Sequence, residues 1–193
     1  MNASGTLQWA VNGVAVCAAA NDQTVPRLVA DGAGGAIVTW QDMRNSATTV
    51  ADIYAQRISG AGASQWTADG VPVSDVALSQ SRPSITTDQA GGAIIAWNDL
   101  RNGSTDIYAQ RLNGSGSGLW TADGVALCTD PAEQGNTVPV TDGANGAIVL
   151  WSDLRYGLEE DVFVRYLTAA GAPQGPANGQ AVAVEPDVRW GPR

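Results

Sequence analysis

GAIVTWQDMR at residues 35–44, GAIIAWNDLR at 92–101 and GAIVLWSDLR at 146–155 are three versions of one segment. Each opens on Gly, runs through a short apolar stretch to Trp, and closes on Asp-x-Arg. In Ala147-Ile148-Val149-Leu150-Trp151 the apolar residues do not alternate with polar ones. A strand with one wet face alternates, because successive side chains point to opposite sides of the sheet. A strand without alternation needs cover front and back, and like sheets stacked face to face supply it.

Two further segments repeat in phase with the first. ADIYAQRI at 51–58, TDIYAQRL at 105–112 and EDVFVRYL at 160–167 follow it; LQWAVNGVAVC at 7–17, SQWTADGVPVS at 64–74 and GLWTADGVALC at 118–128 separate one unit from the next. A fainter copy of the last, QGPANGQAVA at 174–183, lacks the Trp. The step is 57 residues from Trp9 to Trp66 and 54 from Trp66 to Trp120. Each unit reads as four strands: a (Arg27–Ala30 and its equivalents), b up to the Trp, c (the DIYAQR segment) and d (Val14–Cys17, Val71–Ser74, Val125–Cys128). Asp-Gly and Gly-Gly between a and b supply the positive φ that tight hairpins require. Pro139 falls inside the third strand a, which requires that strand to be an edge. Period and strand content are those of a propeller blade. The expected fold class is all-β, of β-propeller type. It has three four-stranded antiparallel blades and an extra N-terminal strand, completed by oligomerisation or by the rest of a larger propeller. The expected boundaries are 1–24 for the fourth strand of a preceding blade, 25–75, 82–129 and 134–185 for the blades, and 186–193 for a tail.

Six of the seven Trp fall at two repeated positions: Trp40, Trp97 and Trp151 end strand b, and Trp9, Trp66 and Trp120 precede strand d. Each buries roughly 150–250 Å², an upper bound of roughly 4–6 kcal/mol at about 25 cal/mol per Å². Inter-blade packing is the expected role; a sugar-stacking platform is the alternative, and it needs an exposed indole face.

The Asp-x-Arg pairs Asp42 and Arg44, Asp99 and Arg101, and Asp153 and Arg155 are expected to act as structural ion-pair pins, joined across the b–c hairpin by Asp52, Asp106 and Asp161. A repeated anion site on Arg is the other reading. All length variation lies in the b–c loops, NSATTVA (45–51), NGST (102–105) and YGLEE (156–160). Insertions of this kind gather on one face of a repeat protein, often the binding face; the plain alternative is drift at an exposed hairpin tip. On the first reading Asn45, Asn102, Tyr156, Glu159 and Glu160 form a binding rim. Glu159 and Glu160 beside Asp161 also fit a solvated loop, a weak Ca²⁺ site without EF-hand spacing, or the carboxylates of a glycosidase.

Composition narrows the chemistry. There is no His, and all ten basic residues are Arg. Ser-His-Asp and Cys-His nucleophile systems, imidazole ligation, Schiff bases and a P-loop lysine are therefore excluded. A net charge of −9 opposes binding to nucleic acid or anionic membranes, and no apolar run is long enough for a membrane span. Cys17 and Cys128 occupy one equivalent strand d position, with Ser74 between them, and stand too far apart in a stack of blades for a disulfide. They are expected to be small, buried and inert. Met1 leads straight into Asn2-Ala3-Ser4-Gly5, as expected of a mature segment without a leader.

The motif GGAIxxWxDxRxxxxDIYAQR followed by WxxxGVxVC, matched at 34–57, 91–111, 7–17, 64–74 and 118–128 and more loosely at 146–167, resembles a repeat of uncharacterised secreted bacterial proteins whose tandem copies are predicted to form propellers. Copy three departs from it, with Arg165 and Tyr166 in place of Gln-Arg. The resemblance implies a secreted, extracellular protein and carries over no catalytic residue or cofactor. The Asp-box of the six-bladed sialidases is absent. The functional expectation is a non-catalytic module that binds or adheres to glycan or protein through the b–c rim. It has no catalytic, cofactor-binding or metal residues, and a homo-oligomer or the rest of a larger propeller is its expected partner. A self-assembling structural unit is the alternative, and a glycan-active hydrolase the third reading.

Overall fold

The computed structural model describes residues 9–157 and 159–183. The first part of the expected 1–24 segment, residue 158, Glu185, Trp190 and the expected tail lie outside the described residues. Blade 1 comprises β1 (Gln23–Ala30), β2 (Ala36–Asp42), β3 (Asp52–Ile58) and β4 (Val71–Ser74). Blade 2 comprises β5 (Gln80–Thr87), β6 (Ala93–Asp99), β7 (Asp106–Leu112) and β8 (Val125–Cys128). Blade 3 comprises β9 (Gln134–Thr141), β10 (Ala147–Asp153), β11 (Asp161–Leu167), the two-residue β12 (Pro173–Gln174) and β13 (Gln180–Ala183). Each blade is an antiparallel meander, and no sheet closes into a barrel. The chain is thus all-β and built of propeller-like blades, with β12 as the extra strand. Residues 13–17 of the N-terminal segment pair into no sheet among the described residues.

The Asp that opens each a–b turn sets the hairpin. Asp31 Oδ1 accepts from the backbone N–H of Ala33 and of Gly35, each at 2.8 Å, and its Oδ2 accepts from Arg57 Nε on strand c at 2.9 Å. Asp88 and Arg111 repeat this. In blade 3 the Tyr166 hydroxyl donates to Asp142 Oδ2 instead, at 2.8 Å. Gln56, Gln110 and Arg111 are accordingly buried, so the polar residues of strand c are internal braces rather than a wetted outer rim.

Strand a is an edge of each sheet, and β1, β5 and β9 lie side by side. Pro139 sits there opposite Val149. Its bulge recurs in every blade, with Val25, Arg82 and Asn136 at φ 51°, 51° and 54°. Positive φ is costly for a non-glycine residue and most of all for a β-branched one.

Two seams hold the blades. Ile53, Ala55 and Val73 of blade 1 pack on Ile95, Trp97, Tyr108 and Leu112 of blade 2. Ile94, Ala96, Ile107, Ala109 and Leu127 of blade 2 pack on Ala147, Val149, Trp151, Phe163 and Leu167 of blade 3. β6 and β7 are buried at every position, as cover on both faces demands. Blade 3 has its far face open, with Ile148 41% and Val138 55% exposed.

A polar clasp closes each seam. Trp97 Nε1 donates to Asp99 Oδ2 at 2.8 Å, and Arg101 engages both carboxylate oxygens through Nε and Nη2 at 2.8 and 2.5 Å. The guanidinium lies 4.0 Å above the Tyr108 ring. Its Nη2 also donates to Ser74 Oγ on β4 of blade 1, at 3.1 Å, and to Asp123 O at 2.8 Å. Arg155 repeats the arrangement onto Cys128 Sγ and Asn178 O, and Arg44 onto Cys17 Sγ and Asp69 O. The pin therefore fastens one blade to strand d of the blade before it. Asp99 is fully buried, and stripping the partner from a buried pair costs about 3–5 kcal/mol. Arg101→Ala is expected to lower unfolding free energy by about 3 kcal/mol in urea melts. Arg101→Lys should recover only part of this, because an ammonium cannot engage both oxygens and stack on Tyr108.

Candidate functional site

The structure distributes the residues singled out in the sequence among three settings. The first is the seam. Trp40, Trp97 and Trp151 are at most 3% exposed, so none offers an indole face to a sugar. Trp66 and Trp120 cross to the next blade, donating Nε1 to Gly114 O and Ala169 O, each at 3.0 Å. Trp9 does the same toward Gly60 O, at 2.8 Å.

The second setting is the b–c hairpin. Asp52 and Asp106 do not join the Asp-Arg pins. Asp52 Oδ2 accepts from Asn45 Nδ2 at 3.1 Å, and Asp106 Oδ2 from Asn102 Nδ2 at 2.7 Å. Asn45 and Asn102 thus brace their own loops across the hairpin with side-chain amides. Asp161 is the buried equivalent in blade 3. Tyr156 is 58% exposed and tilts onto Phe163 at 5.8 Å. Glu159 is exposed. Among the described residues, no three of His, Cys, Asp and Glu gather as a metal ion would require.

The third setting is a groove of about 340 Å³ between blades 2 and 3, where strands a begin and strands b end. Ser81, Arg82, Asn98 and Thr105 line it from blade 2; Glu133, Gln134, Asn136, Ser152 and Glu160 line it from blade 3. A backbone bond from Gln134 N to Thr105 O, 3.1 Å, ties the walls together. Asn136 Nδ2 donates to Ser152 Oγ at 3.1 Å. Asn98 Oδ1 and Gln134 Oε1 are buried and have no hydrogen-bond partner among the described residues. Glu133, Glu160 and Arg82 are exposed, and Arg82 makes no ion pair among the described residues. Two carboxylates, a guanidinium, amides and hydroxyls thus converge on one concavity.

Of these, the sequence reading had singled out only Glu160. The rest are scattered along the chain, yet a signal was present: the aligned copies disagree there. Val25, Arg82 and Asn136 are equivalents; so are Asp22, Ser79 and Glu133, and Ala51, Thr105 and Glu160. Seam positions repeat because each seam makes the same contacts. Groove positions are released from that requirement, and the strand a bulge re-aims the side chains it carries.

The carboxylates outside the groove fall into two electrostatic classes. Burial alone would raise Asp42 and Asp153, but the Arg and Trp hydrogen bonds outweigh it and hold both below the ordinary value of 3.8. Burial raises Asp52 and Asp106 above it, only partly offset by neighbouring side-chain hydrogen bonds. Burial likewise pushes the Cys128 thiol up to about 11.

Comparison with known proteins gives little. No protein-family profile matches the chain, and no curated protein does. A solved structure, the endo-arabinase from Bacteroides thetaiotaomicron VPI-5482, is similar at a TM-score of 0.46 and 13% identity over 85% of this chain. The chain spans 63% of the length of that structure. The expectation of a non-catalytic module acting through the b–c rim is corrected here, since the structure found similar is that of an enzyme. The physical reason is that lacking His and Lys removes imidazole-assisted nucleophiles and Schiff-base chemistry but leaves carboxylate chemistry intact. The rim amides, moreover, are committed to their own loops.

The two carboxylate classes act oppositely on stability. Depressed groups contribute stability above 3.8 that is lost as pH falls through their folded values; raised groups oppose folding when ionised and cease to as they protonate. Stability should therefore rise slightly as pH falls toward 3.8, then drop steeply below it. Asp106→Asn should shrink the rise, leaving the part due to Asp52, and Asp42→Asn should shrink the drop, as read by melting temperature against pH.

Proposed function

We propose that the groove between blades 2 and 3 is a carbohydrate-hydrolysing site in which Glu133 and Glu160 supply the acid and base. The observation that supports it is that two carboxylates meet an amide-, hydroxyl- and guanidinium-lined concavity at positions where the repeats diverge. Glycoside hydrolysis needs no imidazole, thiolate or metal. One carboxylic acid protonates the leaving oxygen, and the second carboxylate activates water or attacks the anomeric carbon. Sugars are dense in hydroxyls, which the amides and hydroxyls lining the groove suit. Arg82 and Asn136, held at positive φ by the strand a bulge, place a donor on each wall. A secreted location, implied by the repeat's resemblance, belongs to the same proposal.

The test is reducing-end release from a panel of polysaccharides. Turnover is expected, with Glu133→Gln and Glu160→Gln each lowering kcat by about 10²-fold or more, the usual scale of acid–base catalysis. Asn45→Ala and Asn102→Ala on the rim should leave it unchanged. No hydrolysis across the panel, or full activity in both glutamine variants, overturns the reading.

A further inference from the structure

Residues 9–18 are docked on blade 1 as though they were the outer part of a blade in front of it. Trp9 donates to Gly60 O and packs on Gly62, as Trp66 does on Gly114 and Gly116, and Trp120 on Ala169 and Gly171. Arg44 reaches Cys17 Sγ at 3.2 Å, as Arg101 reaches Ser74 and Arg155 reaches Cys128. Ala18 N donates to Asp69 Oδ1 at 2.7 Å, as Asp75 N does to Asp123 and Thr129 N to Asn178. The indole, thiol and backbone contacts that a strand d segment makes with the following blade are thus made, yet residues 14–17 pair with no strand c among the described residues.

Blade 3 shows the converse. Its far face, carrying Val138, Val140, Ile148, Val162, Tyr166 and Val182, is exposed, although its counterpart in blade 2 (Ile94, Ala96, Ile107, Ala109, Leu127) is a seam. Its own strand d, β13, is a poor copy. Gly175 stands where Trp66 and Trp120 stand, and Ala183 where Ser74 and Cys128 accept the next blade's Arg. What β13 lacks, residues 9–17 have: Trp9 and Cys17.

We propose that residues 9–17 of one copy pair with β11 of a second copy, replacing β13, so that blade 3 of the second copy docks on blade 1 of the first. The composite blade would take strands a, b and c from one chain and strand d from the other. Its seam would be the one already formed twice within each chain, with Ile148, Val162 and Val182 or its replacement covered. If both copies donate, the ring closes at six blades with two-fold symmetry, within the range of about four to eight at which propellers close.

The register fixes a test. Ile53 lies opposite Ser74, and Ile107 opposite Cys128; by equivalence Val162 of one copy lies opposite Cys17 of the other. Light scattering on the full chain should give twice its 19.8 kDa mass. Val162→Cys treated with diamide should give a reducible covalent dimer that disappears when Cys17→Ser is added; Cys128, buried, should not substitute for it. Trp9→Ala with Cys17→Ala should lower the mass to that of a monomer while leaving the far-UV spectrum intact. A monomer at the highest soluble concentration overturns the proposal. So does a dimer that survives the Trp9/Cys17 double variant, or a Val162→Cys thiol that links to Cys17 of its own chain.

Discussion

A guanidinium that must be shared between two sheets governs this architecture. Arg101 has its Nε and one Nη2 proton committed to Asp99, a face stacked on Tyr108, and its remaining Nη2 donor capacity spent on Ser74 and Asp123. No lysine could do this, since a point charge has neither the planar fork nor the stacking surface. The Trp97 indole completes the carboxylate's shell on one side and fills the hydrophobic seam on the other. Burying Asp99 without these partners would be prohibitive; with them, the charge specifies which surface of the neighbouring sheet is acceptable. Apolar packing supplies most of the affinity between sheets, and the shared Arg supplies their register.

That division of labour explains which positions stay alike. Trp, Asp, Arg and the strand c aromatic are repeated because each seam asks for the same four groups. Where strands a begin, the blades are joined by backbone bonds, such as Gln134 N to Thr105 O, that ask for no particular side chain, and the units diverge. The groove lined by Arg82, Asn98, Glu133 and Glu160 lies in that released zone. A chain of near-identical units can therefore hold a singular site without disturbing the contacts that stack it. The strain of three non-glycine residues at positive φ is carried by the same strand that carries part of the site.

The repeat, the strand content and the seam tryptophans were legible in the sequence because they are periodic. The absence of polar alternation around Ile148 and Ile94 declared two-sided cover; it could not declare that only the middle unit would receive it in full. Asp42 and Arg44 were recognisable as a pair, but not their third partner. Spacing along a strand tells which side chains share a face, not which neighbouring sheet that face meets, so Asp52 looked as good a partner as Cys17. The exchange of Arg111 for Tyr166 stood in the sequence only as a departure from the motif; in three dimensions the phenol hydroxyl replaces the guanidinium on Asp142. The groove was the least legible feature. Its residues come from four separated segments, and length variation in the b–c loops drew attention to the wrong kind of difference. Identity variation at fixed length, as at Val25, Arg82 and Asn136, was the better guide.

The sameness of the two seams has one more consequence. Because the surface that blade 2 shows to blade 3 matches the one blade 1 shows to blade 2, an in-frame gene duplication of one unit would create no unfamiliar interior contact. Copy number is then a nearly neutral variable, and ring size can change in a single genetic event. A catalytic or ligand-holding cleft that arises between two particular units would, by contrast, be diluted or displaced by such an event, so selection on that cleft is what would freeze the count.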